Sequence, residues 1–265
     1  MDSETEKPMC KVMGIVNVTP DSFSDGGLYF KPEEAVRRAM NLVAEGADII
    51  DLGGESTRPG ATPLGWEEEW ARVEPVLAEL AKLAKLGRLE GAKLSVDTYH
   101  PETAERAIAA GANIINCVYA EPVPEMLKLL EGCEVELVVP ASCLSTLSNP
   151  SNVSNPSNVS NPSNPSNLYL DPMIGFGTTR EEDLALLRSI PELAKRGRVL
   201  VGASRKRIVK KLVGEKSAVG KNVGGNVAIA VWAAMNGASV VRVHDVKETV
   251  QALRVIGCLK GEIGL

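Results

Sequence analysis

Polar side chains that could bind a planar, charged ligand recur just after short apolar runs of this chain. They are Asn17, Asp51, Glu55, Ser56, Thr57, Arg58, Asp97, Asn116, Asp171, Ser204, Arg205, Lys206, Arg242, His244 and Asp245. Carboxylates and amides that converge can accept hydrogen bonds from the N–H edge of a planar heterocycle. Lys, Arg and His side chains that converge can hold an anionic leaving group such as diphosphate.

Three of these residues also fit a simpler interpretation. Asp97, Asp171 and Asp245 each stand where an Asp could cap the following helix, since its side chain accepts hydrogen bonds from free backbone N–H groups. Capping explains a single strand end well. It is a weaker explanation for polar residues after seven of eight predicted strands. Both interpretations remain open from the residues alone.

The elements that must position these residues alternate between two types. Eight apolar runs are typical of strands buried on both faces, at 12–16, 48–52, 93–96, 113–115, 135–139, 168–170, 199–202 and 240–243. Amphipathic segments predict helices at 32–45, 67–86, 101–110, 182–196, 222–235 and 246–256. This alternation predicts a (β/α)8 TIM barrel, an α/β fold, as one domain over residues 1–265. The active site of such a barrel lies at the carboxyl ends of its strands.

One repeat departs from the pattern. Residues 148–167 consist only of Ser, Asn, Pro and Val, and Pro recurs every few residues. Pro breaks helices, while Ser and Asn favour local turns. We therefore expect a low-complexity Ser/Asn/Pro-rich loop in place of the helix between strands five and six. An apolar strip along these two strands should then be covered by a neighbouring subunit or stay partly exposed.

Composition limits the classes of function. The net charge is −5 and no long basic block occurs, which argues against non-specific nucleic-acid binding. No apolar run approaches the roughly 20 residues that span a bilayer, and the polar start MDSETEKP is unlike a signal peptide. The five cysteines include no CxxC pair. We expect a cytoplasmic protein with reduced thiols that binds neither nucleic acid nor membrane.

Several motifs resemble those of one enzyme family. Residues 14–27, which read GIVNVTPDSFSDGG, resemble the opening segment of dihydropteroate synthases, which join a pterin to para-aminobenzoate in folate biosynthesis. Five more segments resemble motifs of this family in order and spacing, at 46–60, 95–98, 170–177, 201–206 and 241–245. The resemblance implies a transferase that condenses 6-hydroxymethyl-7,8-dihydropterin diphosphate with para-aminobenzoate or a similar arylamine and releases diphosphate. It also implies a homodimer that contacts through its later helices.

The resemblance implies a role for each matching residue. Those that match the pterin pocket are Asp97, Asn116, Asp171 and Lys206. Those that match the diphosphate site are Asn17, Arg242 and His244, with Asn17 also a ligand of Mg²⁺. Those that match the surroundings of para-aminobenzoate are Thr57, Arg58, Pro59 and Ser204. We expect Asp25 to stabilise a pterin cation and, with Lys206, Arg242 and His244, to form the catalytic set.

Some positions differ from the family pattern and leave a second function open. Cys117 stands where the family usually has Asp, and Thr178 where it usually has Lys. Val139, Pro140 and Ala141 stand where a Met-His pair is usual. The alternative is a pterin-binding module without synthase chemistry, such as a methyltransferase-type pterin domain or an inactive homologue.

Overall fold

The protein forms a closed barrel of eight parallel strands in which each strand pairs with the next along the chain, and the last pairs with the first. The computed structural model describes residues 10–19, 31–55, 62–144, 167–214 and 222–264. The strands are β1 Lys11–Asn17, β2 Ile49–Gly53, β3 Lys93–Asp97, β4 Ile114–Asn116, β5 Glu136–Pro140, β6 Leu168–Asp171, β7 Arg198–Val201 and β8 Ala238–Val243. The barrel predicted from the alternating pattern is confirmed, with strand bounds within about two residues of the apolar runs.

Helices surround this barrel. Within the described residues they are α1 Pro32–Ala44, α2 Trp66–Lys85, α3 Pro101–Ala110, α4 Val123–Leu129, α5 Arg180–Arg188, α6 Ile190–Ala194, α7 Arg207–Leu212, α8 Val223–Met235 and α9 Val246–Lys260. Pro at the first position of α1 and α3 fits a helix start, because that N–H has no partner within the helix. No described helix is long and apolar enough to cross a membrane.

One predicted helix is divided in two. The segment 182–196 was expected to be continuous, but α5 ends at Arg188 and α6 begins at Ile190, with Ser189 between them. Pro191 lies in the first turn of α6. Proline lacks a backbone N–H and its ring clashes with the preceding turn, so a new helix begins there.

Side chains alternate between the two faces of each strand and build two cores. The interior core contains Met13, Ile49, Ile114, Val138, Tyr169, Leu200 and Val240. The larger outer core packs the opposite faces of the strands against the helices. The interior core fills the middle of the barrel, so the polar residues at the strand ends lie above a solid apolar floor.

The expected apolar strip along β5 and β6 is not exposed. Leu137 and Val139 of β5 are fully buried, and Leu168 and Leu170 of β6 are at most 3% exposed. All four belong to the outer core of the single chain, so the prediction of an uncovered strip was wrong. Between the two strands the described residues include a 3-10 turn at Ala141–Cys143. Most of the low-complexity loop predicted at 148–167 lies outside the described residues.

Strand register brings the predicted site residues to one level. Asn17 pairs with Gly53, Gly53 with Asp97, and Asp97 with Asn116, across the first four strands. Further round the barrel, Asp171 pairs with Pro140. Because all these residues end parallel strands, their side chains gather at the same mouth of the barrel.

Candidate active site

Arg242 joins two carboxylates at the centre of this mouth. Its Nε donates to Oδ2 of Asp51 at 2.6 Å, and its Nη2 donates to Oδ2 of Asp97 at 2.6 Å. The Asp51 side chain is fully buried, and that of Asp97 is 12% exposed. Burial raises the pKa of Asp97 to about 7, although the guanidinium of Arg242 acts in the opposite direction. The two ion pairs fix Arg242 and leave the exposed part of Asp97 facing the mouth of the barrel.

Asp51 is the hub of this network; its position near the end of β2 marked it as one of the polar strand-end residues, but no role followed from the sequence. Its Oδ1 accepts a hydrogen bond from Ser95 Oγ at 2.6 Å, and its Oδ2 accepts one from Asn116 Nδ2 at 3.3 Å. The signal was present, since a charged residue inside the apolar run 49–52 must point into the barrel or break the outer core. Asp51 thus orients Arg242 and Asn116 from below.

Asn116 has an acceptor available for a ligand. Asn116 is 1% exposed, and its Oδ1 has no hydrogen-bond partner among the described residues. Its Nδ2 is already directed at Asp51, so the orientation of the amide is fixed. A buried polar atom without a partner is costly, and such atoms are rare in folded proteins. A ligand N–H group would satisfy this oxygen.

Asp171 and Lys206 line the opposite side of the mouth. Asp171 is 5% exposed and accepts a hydrogen bond from the backbone N–H of Met173 at 2.7 Å. Burial raises the pKa of Asp171, while Lys206 acts in the opposite direction. Burial lowers the pKa of Lys206 to about 8. The Asp171 carboxyl and the Lys206 amine therefore lie in a poorly solvated part of the mouth, where an additional hydrogen-bond partner is favourable.

Lys206 also reaches the loop after β6. Its Nζ donates to the carbonyl oxygen of Ile174 at 2.6 Å and lies 4.2 Å from the centre of the Phe176 ring. Gly175 lies between them with φ +77°, and a Cβ there would be 3.0 Å from Lys206 Cδ. A side chain at this position would be strained and would crowd the lysine. The glycine thus permits the close approach of Lys206 to the loop.

Thr178 stabilises the same loop. Its Oγ1 donates to Oδ1 of Asp183 at 2.5 Å, and the same Asp183 oxygen accepts from the N–H of Gly175 at 2.6 Å. The site therefore has a structural hydroxyl where the family usually has a lysine. This departure fixes the backbone that carries Phe176.

Ser204 and His244 form a pair at the ends of β7 and β8. Ser204 Oγ lies 3.1 Å from His244 Nδ1, and it also accepts a hydrogen bond from the backbone N–H of His244 at 3.3 Å. Arg38 of α1 donates to the carbonyl oxygen of His244 at 3.2 Å. The positions of both predicted residues are thus fixed by contacts between separate elements.

Helix capping does not explain the three aspartates. The cap residues of α3 and α5 are His100 and Thr179, so neither Asp97 nor Asp171 occupies a cap position. Asp245 occupies the cap position of α9, but its side chain makes no capping hydrogen bond. The carboxylates of Asp97 and Asp171 face the mouth of the barrel, which favours the ligand-binding interpretation.

The change at Cys117 does not reach the site. The N–H of Cys117 donates to the carbonyl oxygen of Val138, so the alternation of β4 continues for one more residue. Asn116 points into the barrel, and Cys117 is buried in the outer core, where its Sγ donates to the carbonyl oxygen of Tyr119 at 3.2 Å. Burial raises the pKa of the Cys117 thiol to about 12, so it packs there as a neutral group.

Four predicted site residues lie outside the described part of the chain. They are Asp25, Thr57, Arg58 and Pro59. The remaining ones are described, and all come from the carboxyl ends of strands or the loops directly after them. They are Asn17, Asp97, Asn116, Asp171, Ser204, Lys206, Arg242 and His244.

Within the described residues, a metal at Asn17 has few protein ligands. Asn17 offers one amide oxygen at the end of β1. Among the described residues, no group of three or more His, Cys, Asp or Glu side chains could hold a metal ion. Mg²⁺ often keeps several waters and binds through substrate phosphates. The donors present therefore fit a Mg²⁺ ion that arrives with a diphosphate group.

Comparison with known proteins identifies the family of this chain. The family model described as "Pterin binding enzyme" matches residues 13–244. The dihydropteroate synthase of Neisseria meningitidis serogroup B is 41% identical over 272 residues, which covers 94% of this chain and 92% of the relative. The chain belongs to the dihydropteroate synthase family. The Escherichia coli member is 36% identical, with 92% of this chain and 90% of the relative covered.

Solved structures of dihydropteroate synthases share the fold. The Xanthomonas albilineans enzyme with 4-aminobenzoic acid has a TM-score of 0.80 at 38% identity, and the match covers 95% of this chain and 93% of that one. The same enzyme in complex with 7,8-dihydropteroate has a TM-score of 0.77 at 36% identity, with coverage of 95% and 94%.

Proposed function

We propose that the protein catalyses the dihydropteroate synthase reaction. It condenses 6-hydroxymethyl-7,8-dihydropterin diphosphate with 4-aminobenzoate and releases diphosphate in folate biosynthesis. The observation that carries the proposal is Asn116 Oδ1, a buried acceptor without a partner at the level of Asp97. With Asp171, these residues supply three acceptors for the N–H edge of a pterin. The high identity to dihydropteroate synthases over nearly the full chain supports the same activity.

The pterin fits the charge distribution of the site. Asp97 and Asp171 would accept hydrogen bonds from the 2-amino group and a ring N–H, and Asn116 Oδ1 would accept another. Lys206 would donate to the ring carbonyl or N5. Burial makes these bonds stronger than the same bonds in water. The pterin is thereby oriented with its methylene carbon towards the ends of β1, β7 and β8.

The chemistry at that carbon is a substitution. The C–O bond to diphosphate breaks, and the diphosphate leaves with the electron pair. The amino nitrogen of 4-aminobenzoate then forms the C–N bond and loses a proton. Positive charge on the pterin is stabilised by nearby carboxylates, a role that we propose for Asp25. Water must be excluded during the reaction because it competes with the amine for the cation.

Three residues would bind the leaving group. Arg242 and His244 would hold the diphosphate as donors, and Asn17 would ligate the Mg²⁺ ion that accompanies it. The metal would neutralise charge on the leaving oxygen. Ser204 contacts His244, so an arylamine bound at Ser204 would lie next to the diphosphate. Thr57, Arg58 and Pro59 complete the arylamine site in this proposal.

The alternative function, a pterin-binding module without synthase chemistry, is less well supported. The residues that favour it are the altered ones after β4 and β5. Cys117 faces the outer core, and Asn116 keeps its place in the barrel. Pro140 pairs with Asp171 and leaves that carboxylate in the mouth of the barrel. The Ser204–His244 pair at the proposed diphosphate site is also intact.

We also propose that the protein is a cytoplasmic homodimer. Large apolar side chains are exposed on two adjacent helices, with Trp232 48% and Met235 55% exposed on α8, and Val255 58% and Leu259 79% exposed on α9. Exposed apolar side chains on helices that pack together suit an interface between identical subunits. All five cysteines are free thiols, which suits a reducing compartment.

Turnover by the purified protein tests the proposal. The pterin diphosphate, 4-aminobenzoate and Mg²⁺ are supplied together, and diphosphate release and dihydropteroate formation are measured in the same samples. We expect equal amounts of both products and no dihydropteroate when 4-aminobenzoate is omitted. Tight binding of the pterin without release of diphosphate would contradict the synthase activity and favour the binding module.

A further inference from the structure

The segment Ser204-Arg205-Lys206 places two site residues through an unfavourable backbone conformation. Arg205 has φ +60°, in the left-handed region that residues with a Cβ rarely adopt. Ser204 and Lys206 on either side both reach the site, the first to His244 and the second to Ile174. Such a conformation persists only where surrounding contacts enforce it.

Asn226 of α8 contacts the backbone at the strained residue. Its Oδ1 accepts the N–H of Arg205 at 3.0 Å, and its Nδ2 donates to Oδ2 of Asp245 at 2.7 Å. Asn226 is 3% exposed. Both ends of the amide are therefore used, and neither bond would be kept if the amide were rotated by half a turn.

Asp245 completes the network from the other side. Its Oδ1 accepts from Arg205 Nη2 at 2.7 Å, so the side chain of Arg205 is directed away from its two neighbours. The backbone carbonyl of Asp245 accepts from Thr249 Oγ1 at 2.7 Å, which ties the backbone of Asp245 to the first turn of α9. Three elements thus hold one residue by its backbone and its side chain.

Tight packing keeps α8 at the correct distance. Gly225 precedes Asn226, and a Cβ at this glycine would lie 2.6 Å from Val213 Cγ1 and 2.9 Å from Val209 Cγ1. The start of α8 therefore lies directly against α7, which follows Lys206 in the chain. The amide of Asn226 consequently has little freedom to move relative to Arg205.

We propose that Asn226 is a positioning residue for the reaction: it holds Arg205 in the left-handed conformation, so that Ser204 and Lys206 converge on the site. Asn226 itself does not touch the substrates. Without its side chain the N–H of Arg205 loses its acceptor, and the backbone relaxes towards an ordinary conformation. Ser204 and Lys206 would then be displaced together. The kinetic test of this inference rests on the proposed synthase function. Its structural test, the conformation of Arg205 without Asn226, does not.

The central test compares Asn226→Ala with Thr249→Val. Thr249→Val removes a buried hydrogen bond to the same Asp245 without touching Arg205, so it controls for a loss of stability alone. We expect Asn226→Ala to lower kcat/KM for both substrates by about 10- to 100-fold per folded molecule, as a misplacement near 1 Å can do. Thr249→Val should retain the kcat/KM values of the wild type. Equal kcat/KM values in the wild type and Asn226→Ala would overturn the proposal.

A rescue variant tests the conformational step. Glycine adopts positive φ without strain, so Arg205→Gly in the Asn226→Ala background should recover part of the lost kcat/KM. If Asn226→Ala does not fold, Asp245→Asn weakens the same network, and we expect both KM values to rise. No recovery in the double variant and unchanged KM values in Asp245→Asn would each contradict the proposal.

A crystal structure of Asn226→Ala separates this inference from the proposed function. We expect Arg205 to leave the left-handed region and Lys206 Nζ to lose its contact with Ile174. Retention of φ near its present value would overturn the positioning role, whatever the activity. If the wild type binds the pterin but has no turnover, the synthase proposal fails. The φ of Arg205 in Asn226→Ala would still test whether Asn226 holds the left-handed conformation.

Discussion

Arg242 Nη2 lies 2.6 Å from Asp97 Oδ2, although 145 residues separate the two in the chain. Asp97 is a proposed acceptor for the pterin, and Arg242 a proposed donor to the diphosphate. The ion pair therefore connects the proposed binding sites for the pterin ring and for its diphosphate group. A change in one residue should affect the binding of both halves.

Asp97→Asn tests this connection. It removes a charged acceptor for the pterin and one of the two carboxylates that hold Arg242. With roughly 1.5–2 kcal/mol lost for each charge-assisted bond, kcat/KM for the pterin should fall about 100- to 1,000-fold. Steady-state kinetics and calorimetric pterin binding measure the effect. Glu74→Gln, at an exposed position of α2, is the control and should behave as the wild type.

The rate should depend on the ionisation of Lys206. Burial lowers its pKa to about 8, so the ammonium group that donates to Ile174 and to the pterin is lost as the pH rises through that value. We expect kcat/KM, which reports ionisation in the free enzyme, to fall above about pH 8. In Lys206→Arg the side chain stays charged, so the alkaline decrease should disappear even if the rate is lower. A flat wild-type profile up to about pH 10 would contradict this assignment.

Asn17 should set the requirement for Mg²⁺. Asn17→Ala removes the one protein oxygen that we assign to the metal, so the Mg²⁺ concentration for half-maximal rate should rise about tenfold, equivalent to about 1.4 kcal/mol. A chelator should abolish turnover. Binding of the pterin alcohol, which has no diphosphate, should be unchanged. The exposed Asn41→Ala serves as the matched control, and an equal Mg²⁺ requirement in both variants would refute the role of Asn17.

Glu69 should make stability depend on pH. It is 1% exposed, its Oε2 accepts from Thr98 Oγ1 at 2.6 Å, and its Oε1 has no partner among the described residues. Burial raises its pKa from 4.5 to about 7, with Glu55 acting in the same direction and Arg72 against it. A raised carboxyl pKa contributes stability below pH 4.5, and this contribution is lost as the pH rises to about 7.

Glu69→Gln measures that contribution. The amide does not ionise, so the variant should gain free energy of unfolding relative to the wild type between pH 5 and pH 8. The gain should reach about 3 kcal/mol, because each pKa unit corresponds to about 1.4 kcal/mol. Urea unfolding at the two pH values provides the measurement. Glu67→Gln on the exposed side of α2 should show no such difference, and a pH-independent effect of Glu69→Gln would contradict the prediction.

Charge on the exposed face of α9 should dissociate the dimer. Leu259→Glu combined with Val255→Glu places two carboxylates in the proposed interface, where they would be desolvated against a copy of themselves. Sedimentation equilibrium should show a dimer for the wild type and a monomer for the double variant. Leu86→Glu, at an exposed apolar residue after α2, should remain dimeric. A wild-type monomer would remove the proposed interface.

Much of the fold and the site could be predicted from residue types and their order. Apolar runs at regular intervals indicated each strand because side chains of a parallel barrel are buried on both faces. The polar residues after those runs indicated Asp97, Asn116 and Asp171, since a barrel brings the carboxyl ends of all its strands together. The break at Ser189 also has a local signal, since Pro191 lacks the backbone N–H that would continue the preceding helix.

Other features depend on directions and distances that residue order does not specify. The sequence alone determined that eight strands deliver carboxylates, amides and cations to one end of a barrel, because periodicity and turn chemistry are local properties. Only the tertiary structure decided that Cys117 faces the outer core, that Asp51 joins Arg242 to Asn116, and that Asn226 reaches the backbone of Arg205. These contacts depend on strand register and helix packing, which bring together atoms from elements far apart in the chain.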